Sequence, residues 1–463
     1  MRWTWKRALA GPRGVAVVGA SRNPLKLGTR VMSQLINHGY PKDRVFPVNP
    51  REREVMGREC YSSVKDIPEI VDIACIATPA RTVPDILRDC ADKGIKLAII
   101  FSAGFSEVGN VELDRKIMEI VNEYGIRVCG PNSQGIISTY NNLCATFSLS
   151  TELPNTPIKG NVAIVSQSGG IGGSMLTHLW DSKVGISHFI STGNELDLSL
   201  ADFVDFLAED INTKVIILLF EVIKDVEKFK FSVENAKRSG KTIVALWVGR
   251  SKKARELIKY HTGLKPPEDG YEDLLDELEI ITLENVEDLW DSAIVLSWQP
   301  PALGNRIGVI STSGALCSVI TDLLEKYGLS LADFDEETRN RLRKILPEFS
   351  IPKNPIDMTG QIMLDILMMR RTLETLFECP EVDAILIAIT TAVGPLAERF
   401  IKDIMIDVGS LRERFNKPLI VCWLASRMFS ERAWRILLEK KIPVYPTPER
   451  AVRALKLLTK KYE

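Results

Sequence analysis

Short apolar runs alternate with amphipathic stretches from one end of the chain to the other. Residues 15–19, 45–48, 73–77, 97–101 and 127–129 each read as a buried strand. Between them, residues 28–38 and 82–93 carry apolar positions at helical spacing. Strands alternating with helices predict parallel sheets covered by helices on both faces. Two proline-marked stretches break the pattern, Thr151-Glu152-Leu153-Pro154-Asn155-Thr156-Pro157 and Trp298-Gln299-Pro300-Pro301-Ala302-Leu303. Proline punctuates strongly, so both read as linkers. They divide the chain into expected domains 1–150, 151–299 and 300–463.

The second and third domains look like copies. One opens Gly160-Asn161-Val162-Ala163-Ile164-Val165-Ser166-Gln167-Ser168-Gly169-Gly170, the other Gly304-Asn305-Arg306-Ile307-Gly308-Val309-Ile310-Ser311-Thr312-Ser313-Gly314-Ala315. Each predicts a strand running into a Ser-Gly turn and then a helix. A later strand at 242–248 corresponds to one at 418–424, which indicates an internal repeat. The copies differ in one respect: a histidine, His261, comes after the late strand of the first, whereas Ala425-Ser426-Arg427 comes after that of the second.

Composition narrows the function. At 463 residues the chain has room for about three domains of roughly 150 residues. Lys+Arg number 59 against Asp+Glu 60, a balance that argues against nucleic-acid binding. No apolar run reaches transmembrane length, and Met1-Arg2-Trp3-Thr4-Trp5-Lys6-Arg7 lacks the apolar core of a signal peptide. A cytoplasmic protein without membrane contact is expected. None of the eight cysteines forms a Cys-x-x-Cys pair, so buried thiols in a reducing compartment are expected, and no metal site.

Three constellations carry candidate chemistry. The first strand feeds Gly19-Ala20-Ser21-Arg22-Asn23-Pro24-Leu25-Lys26-Leu27-Gly28. Glycine permits close backbone approach, a helix start offers free N–H groups, and Arg22 and Lys26 add cations, so a phosphate-bearing nucleotide is the natural guest. Gln167-Ser168-Gly169-Gly170 is a second such turn. Its echo at Ser313-Gly314-Ala315 leaves an architectural role open. Glu221 ends the apolar strand Leu218-Leu219-Phe220, and His261 lies in a loop after the strand at 242–248. A carboxylate beside an imidazole fixes its tautomer, and a neutral ring nitrogen is a nucleophile near neutral pH. Ser168, Glu221 and His261 all come after strands of one domain, so all are expected at the carboxyl edge of one sheet.

The order of motifs resembles the α-subunits of ADP-forming acetyl-CoA (acyl-CoA) synthetases, relatives of the succinyl-CoA synthetase α-subunit. The motifs are Val18-Gly19-Ala20-Ser21-Arg22, Pro47-Val48-Asn49-Pro50, Thr78-Pro79-Ala80, Ser102-Ala103-Gly104-Phe105 and Gly130-Pro131-Asn132-Ser133-Gln134-Gly135. Ser166-Gln167-Ser168-Gly169, His261-Thr262-Gly263, Lys353-Asn354-Pro355-Ile356-Asp357-Met358-Thr359-Gly360 and Pro443-Val444-Tyr445-Pro446-Thr447-Pro448-Glu449 complete the series. The resemblance implies an α/β fold: a Rossmann-like coenzyme A-binding domain, then two flavodoxin-like, doubly wound domains. It implies that Gly19, Ser21, Arg22 and Lys26 lie near the coenzyme A phosphates. Asn49, Pro50, Pro79 and Ala80 then line the groove, with Gly104 and Asn132 near the thiol end. It makes His261 the phosphohistidine, Glu221 its ring partner, and Ser168, Gly169 and Gly170 the phosphate cradle.

The implied reaction is acyl-CoA + ADP + phosphate ⇌ acid + CoA + ATP, through an acyl phosphate. The implied nucleotide site belongs to an ATP-grasp unit. No Gly-x-x-x-x-Gly-Lys loop occurs here, and the third domain runs to Glu463. A separate ATP-grasp β-subunit, an α2β2 assembly and Mg2+ on the partner's ADP or ATP are therefore expected.

Some positions depart from the family pattern. Leu264-Lys265-Pro266-Pro267 comes after His-Thr-Gly where small residues are usual, Lys259 and Tyr260 precede it, and Val222 stands where glycine is usual. They motivate an alternative, a coenzyme A-binding regulatory protein that kept the fold and lost turnover. Retention of both His261 and Glu221 opposes it. A third reading, an NAD-dependent dehydrogenase, fails because Gly19 and Gly28 do not give Gly-x-Gly-x-x-Gly.

Overall fold

Every apolar run of the first third becomes a strand, and four of the five strands are buried along their whole length. In the computed structural model, which describes residues 4–152, 156–262, 266–359 and 365–459, these are β1 (Val15–Val18) and β2 (Val45–Val48). A small antiparallel ribbon comes next, β3 (Glu54–Val55) with β4 (Arg58–Glu59), and then β5 (Ile73–Ile76), β6 (Leu97–Ile100) and β7 (Arg127–Cys129). The sheet is wholly parallel, in the order β2-β1-β5-β6-β7. Continuous burial is what a sheet covered on both faces requires. The helices at its faces, Leu27–Asn37 and Val83–Lys93, begin and end within one residue of the periodic pattern.

The second sheet recruits strands from before the expected boundary at residue 150. β8 (Gly135–Ser138) and β9 (Leu143–Thr146) form an antiparallel hairpin, and β8 pairs antiparallel with β11 (Ile186–Ser191), Ser138 opposite His188. The remaining strands are β10 (Lys159–Ser166), β12 (Val215–Phe220), β13 (Thr242–Trp247) and β14 (Ile281–Thr282). The order is β14-β13-β12-β10-β11-β8-β9. One apolar core serves both sheets: Val17, Leu35 and Leu143 belong to the same buried cluster as Ala163 and Phe203. The chain accordingly divides into two compact units, Met1–Leu289 and Trp290–Glu463.

The second unit holds β15 (Arg306–Ser311), β16 (Ser330–Leu331), β17 (Ile356–Asp357), β18 (Ala384–Ile389), β19 (Leu419–Trp423) and β20 (Val444–Tyr445). Their order is β16-β15-β18-β19-β20, with β17 beside β15. Counted within each sheet, and leaving β17 aside, the parallel strands of all three run 2-1-3-4-5, a doubly wound order with its ligand crevice between the first and third strands. The repeat extends to single hydrogen bonds. Ser166 Oγ donates to the Ser168 carbonyl at 2.6 Å, and Ser311 Oγ to that of Ser313 at 3.0 Å. Gln167 N–H donates to Leu219 and Thr312 N–H to Ala388, each on the neighbouring strand.

One expectation is corrected. The sequence pattern puts His261 in a loop; its backbone lies in the last turn of an 11-residue helix, Lys252–Thr262. The apolar residues Ala254, Leu257 and Ile258, the last of them buried, give that segment a helical face that the charged residues around them obscure in the sequence. The His261 side chain, Gly263, Leu264 and Lys265 fall outside the described part of the structure, as do residues 153–155 of the first linker. All eight cysteines are buried and free. Among the described residues no helix is long and apolar enough to cross a membrane.

Candidate active site

The carboxyl ends of the first sheet form one continuous rim. Gly19, at φ 94°, turns the chain out of β1; a Cβ there would stand 2.5 Å from the Ala77 carbonyl oxygen, so no side chain fits. The helix Leu27–Asn37 starts so close to this turn that a Cβ on Gly28 would meet the Gly19 oxygen at 2.4 Å. Thr29 Oγ1 donates to the Ser21 carbonyl at 2.6 Å and accepts Ser21 N–H, while Lys26, at the N-cap, is exposed. Asn49 Nδ2 donates to the Ala20 carbonyl at 2.7 Å, tying the β1 and β2 loops together, with Pro50 exposed beside it. The rim continues through Thr78, whose carbonyl accepts Ser102 Oγ, and through Pro79 and Ala80. It then reaches Gly104, whose φ is 111° and whose missing Cβ would touch Ala80, and Asn132, whose N–H donates to the Ser102 carbonyl at 2.9 Å.

Glu52 organises the turn after β1 and was not legible as a site residue. Its carboxylate accepts Arg22 N–H at 3.1 Å, Arg22 Nε at 2.6 Å and Ser21 Oγ at 3.2 Å. These bonds, the Arg22 N–H first, hold its carboxyl below the usual glutamate value. The Arg22 side chain remains 79% exposed, so its outer edge faces solvent. Beside it opens a cavity of about 500 Å³ lined by Ser21, Arg22, Arg30, Ser33 and Asn37.

The second sheet presents its crevice between β10 and β12. Ser168 caps the helix Gly169–Asp181, accepting Ile171 N–H at 3.4 Å. A capping serine contributes about 1 kcal/mol to such a helix and leaves its first N–H groups turned outward. Gly169 packs on Gln134, where a Cβ would stand 2.6 Å from Cγ, whereas Gly170 faces open space. Across the crevice Glu221 is half-buried, and Gln167 holds it by the main chain: Gln167 Oε1 accepts Glu221 N–H at 2.7 Å and Val222 N–H at 3.1 Å, and Gln167 Nε2 donates to the Val222 carbonyl at 2.7 Å. Trp247 Nε1, at the end of β13, donates to the Glu221 carbonyl at 3.2 Å.

Polar contacts carry the rim of the first sheet into the second. Glu107 accepts Gly104 N–H at 2.5 Å and Phe105 N–H at 3.2 Å, and its other oxygen accepts Asn194 Nδ2 at 2.5 Å. Asn132 Nδ2 donates to Asn194 Oδ1 at 3.3 Å. Lys224 Nζ donates to the carbonyls of Asn194 and Glu195. The helix Lys252–Thr262 packs against the turn Ser106–Val108 beside Gly104. Ser168, Glu221 and the backbone of His261 all lie at the carboxyl ends of adjacent parallel strands or on the helix after one. Among the described residues no cluster of three His, Cys, Asp or Glu side chains could hold a metal ion. Sequence reasoning missed Glu52, Glu107, Asn194 and the role of Gln167; the first three are ordinary loop residues, and Gln167 was visible only as part of a motif.

The rim of the first sheet, the serine-capped helix and the clamped glutamate lie in a chain whose segments match coenzyme A ligase families. A CoA binding domain family matches residues 13–139, the succinyl-CoA ligase like flavodoxin domain 159–296, and the Ligase-CoA domain 307–463. The chain belongs to the α-subunit family of the ADP-forming acetate–CoA ligases. It is 36% identical to the acetate–CoA ligase [ADP-forming] II subunit alpha of Pyrococcus furiosus, over 95% of this chain and 94% of that one. It is 35% identical to the acetate–CoA ligase [ADP-forming] of Methanocaldococcus jannaschii, over 97% of this chain and 62% of that longer one. Its fold matches a dinucleotide forming acetyl-coenzyme A synthetase 1 of Ca. Korarchaeum cryptofilum, solved with phosphate and ADP, with a TM-score of 0.89 and 31% identity. That match covers 98% of this chain and 96% of the other.

Proposed function

We propose that this chain is the α-subunit of an ADP-forming acyl-CoA synthetase, interconverting acyl-CoA, ADP and phosphate with acid, CoA and ATP. The observation that carries the reading is the Gln167 clamp, which sets Glu221 across from the Ser168 helix start at the crevice of the second sheet. Coenzyme A lies along the first rim, its phosphates near Gly19, Ser21, Arg22 and Lys26, its chain against Asn49, Pro50, Pro79 and Ala80, and its thiol near Gly104 and Asn132.

The steps derive from the chemistry of these groups. A phosphate oxygen attacks the thioester carbonyl, the C–S bond breaks, and the CoA thiolate leaves; the product is an acyl phosphate. An imidazole nitrogen of His261 then attacks phosphorus, the P–O bond to the acyl group breaks, and the acid leaves as carboxylate. Glu221 accepts a hydrogen bond from the N–H of the far ring nitrogen, which keeps its proton, and stabilises the ring's positive charge. The N–H groups of Gly169 and Gly170 and the helix start after Ser168 stabilise charge on the transferring phosphoryl oxygens. A β-phosphate oxygen of ADP finally attacks phosphorus, the P–N bond to His261 breaks, and ATP and the free imidazole result.

We assign ADP and its Mg2+ to a separate ATP-grasp β-subunit in an α2β2 assembly, and place the complex in the cytoplasm. Two relatives support a partner unit. The P. furiosus protein is itself named a subunit alpha, and this chain matches it almost end to end. The M. jannaschii protein, of which this chain spans 62%, has the length for an additional unit in one polypeptide.

The test is transfer of label from radioactive phosphate to protein in the presence of acetyl-CoA, with His261→Ala alongside. Acid-labile, base-stable label on the wild type and none on the variant is the expected result. Absence of label from the wild type, with other acyl-CoAs and with the partner subunit added, overturns the proposal.

A further inference from the structure

Glu195 lies on the loop after β11, next to the crevice of the second sheet, and is 2% exposed. Its backbone is left-handed, at φ 53°, which turns the side chain of a non-glycine residue into the interior at some conformational cost. Oε1 accepts Thr192 Oγ1 at 2.8 Å and Leu200 N–H at 3.1 Å. Oε2 is buried and accepts no hydrogen bond from the described residues. The neighbouring side chain that acts on this carboxyl is that of Gln167, the residue clamping Glu221 and Val222. Gln167 Nε2 gives one hydrogen to the Val222 carbonyl and keeps a second.

We propose that Glu195 is a positioning residue for phosphoryl transfer: as a carboxylate it takes the second Gln167 amide hydrogen and locks that amide in the orientation that holds Glu221. The inference rests on the phosphohistidine reading above. Without that acceptor the amide has one fewer bond to distinguish its two orientations, and the reversed one turns N–H groups toward the N–H groups of Glu221 and Val222. A proton on Glu195 removes the acceptor.

The surroundings place this proton in the working range. Burial is the largest influence and raises the Glu195 carboxyl to about 7. The charged or titratable groups facing it are Lys224, whose Nζ bonds the Glu195 carbonyl at 2.7 Å, Tyr271 and Cys129. Asp114 acts on Lys224, Glu107 is held through Asn194, and Asp197 is engaged by Arg127. Lys224 favours the carboxylate; Tyr271 and Cys129 are neutral in this range, pushed upward by burial. Glu195 is therefore protonated below the range and ionised above it, and the clamp tightens as pH rises.

The experiment compares wild type, Glu195→Gln and Glu195→Asp in the full chain. The rate of protein labelling from acetyl-CoA and radioactive phosphate is read as the ratio of wild type to variant, so that the titration of phosphate itself cancels. For Glu195→Gln the ratio is expected to climb about tenfold as pH rises from about 6 to about 8, the scale on which a misplaced group slows transfer. Glu195→Asp keeps a pH-dependent rate. Independently of activity, the Gln167 side-chain amide signal in a nitrogen-15 spectrum, assigned by its loss in Gln167→Ala, shifts with a midpoint near 7 in wild type and stays fixed in Glu195→Gln. A labelling ratio that does not change with pH, or an amide signal that does not titrate, overturns the proposal. A wild-type chain that takes no label overturns the phosphohistidine reading instead, and the amide signal still decides the Glu195–Gln167 contact.

Discussion

Gln167 Oε1 accepts the main-chain N–H of Glu221 at 2.7 Å, across 54 positions of sequence. The bond joins the loop after β10 to the loop after β12, so the side chain beside the phosphate cradle sets where the carboxylate stands. Gln167→Ala removes three hydrogen bonds and leaves two partly buried N–H groups to find other partners. A loss of about 1–3 kcal/mol in unfolding free energy is expected. Phosphoenzyme formation is expected to slow more than fold stability alone explains. Denaturant unfolding and single-turnover labelling on the same sample check both; labelling at the wild-type rate would remove Gln167 from the mechanism.

Two glycines, one in the turn after β1 and one at the helix start after β10, are expected to respond oppositely to alanine. At Gly19 a methyl group meets the Ala77 carbonyl at 2.5 Å on a backbone of φ 94°, so Gly19→Ala costs about 1–3 kcal/mol from strain and weakens coenzyme A binding. At Gly170 nothing stands within 4 Å and the backbone is helical. Gly170→Ala is neutral or stabilises by up to about 1 kcal/mol. Thermal melts and a titration with coenzyme A distinguish the two.

Acid sensitivity has a specific source in His188. The ring is 3% exposed, with Nε2 3.1 Å from Ser138 Oγ, and burial lowers its pKa from 6.5 to about 4. The unfolded chain therefore binds a proton that the folded chain refuses between those values. Stability present above 6.5 is lost progressively as pH falls toward about 4. The melting temperature of the wild type should drop more steeply over that interval than that of His188→Asn; equal slopes would assign the acid limb elsewhere.

Asp197 secures the start of β7 to the second sheet's loops. It is 7% exposed in its side chain and accepts Arg127 through both oxygens at 2.8–3.0 Å, together with Val128 N–H at 2.8 Å. Asp197→Ala leaves the half-buried Arg127 guanidinium only the weaker contact with Asp202, at 3.9 Å, and strands a main-chain N–H, and an unfolding loss of about 1–3 kcal/mol is expected. Double replacement with Arg127→Ala should cost less than the sum of the singles; additivity would show that the pair does not interact.

Much of this architecture was legible in sequence because it depends on local pattern. Apolar runs gave the parallel strands, Ser-Gly turns marked both helix starts of the repeat, and Gly19 marked the close turn out of β1, where φ is positive. The features that stayed hidden depend on pairing at a distance. The hairpin β8–β9 joins the second sheet through long-range register, so a boundary at residue 150 looked natural. Gln167 acts on main-chain groups that carry no signature. The helix bearing His261 is short, and its charged residues mask a narrow apolar face.

That hairpin makes the polypeptide's apparent modules interdependent. Its two strands are encoded with the coenzyme A-binding segment, yet they complete the flank of the neighbouring sheet, so neither segment inherits a finished edge when the gene is cut between them. Recombination that exchanges the first segment for a foreign one must also import a matching border for the second. Among the described residues the third sheet is built from strands of its own unit, whereas the first and second sheets share one buried core and are inherited together.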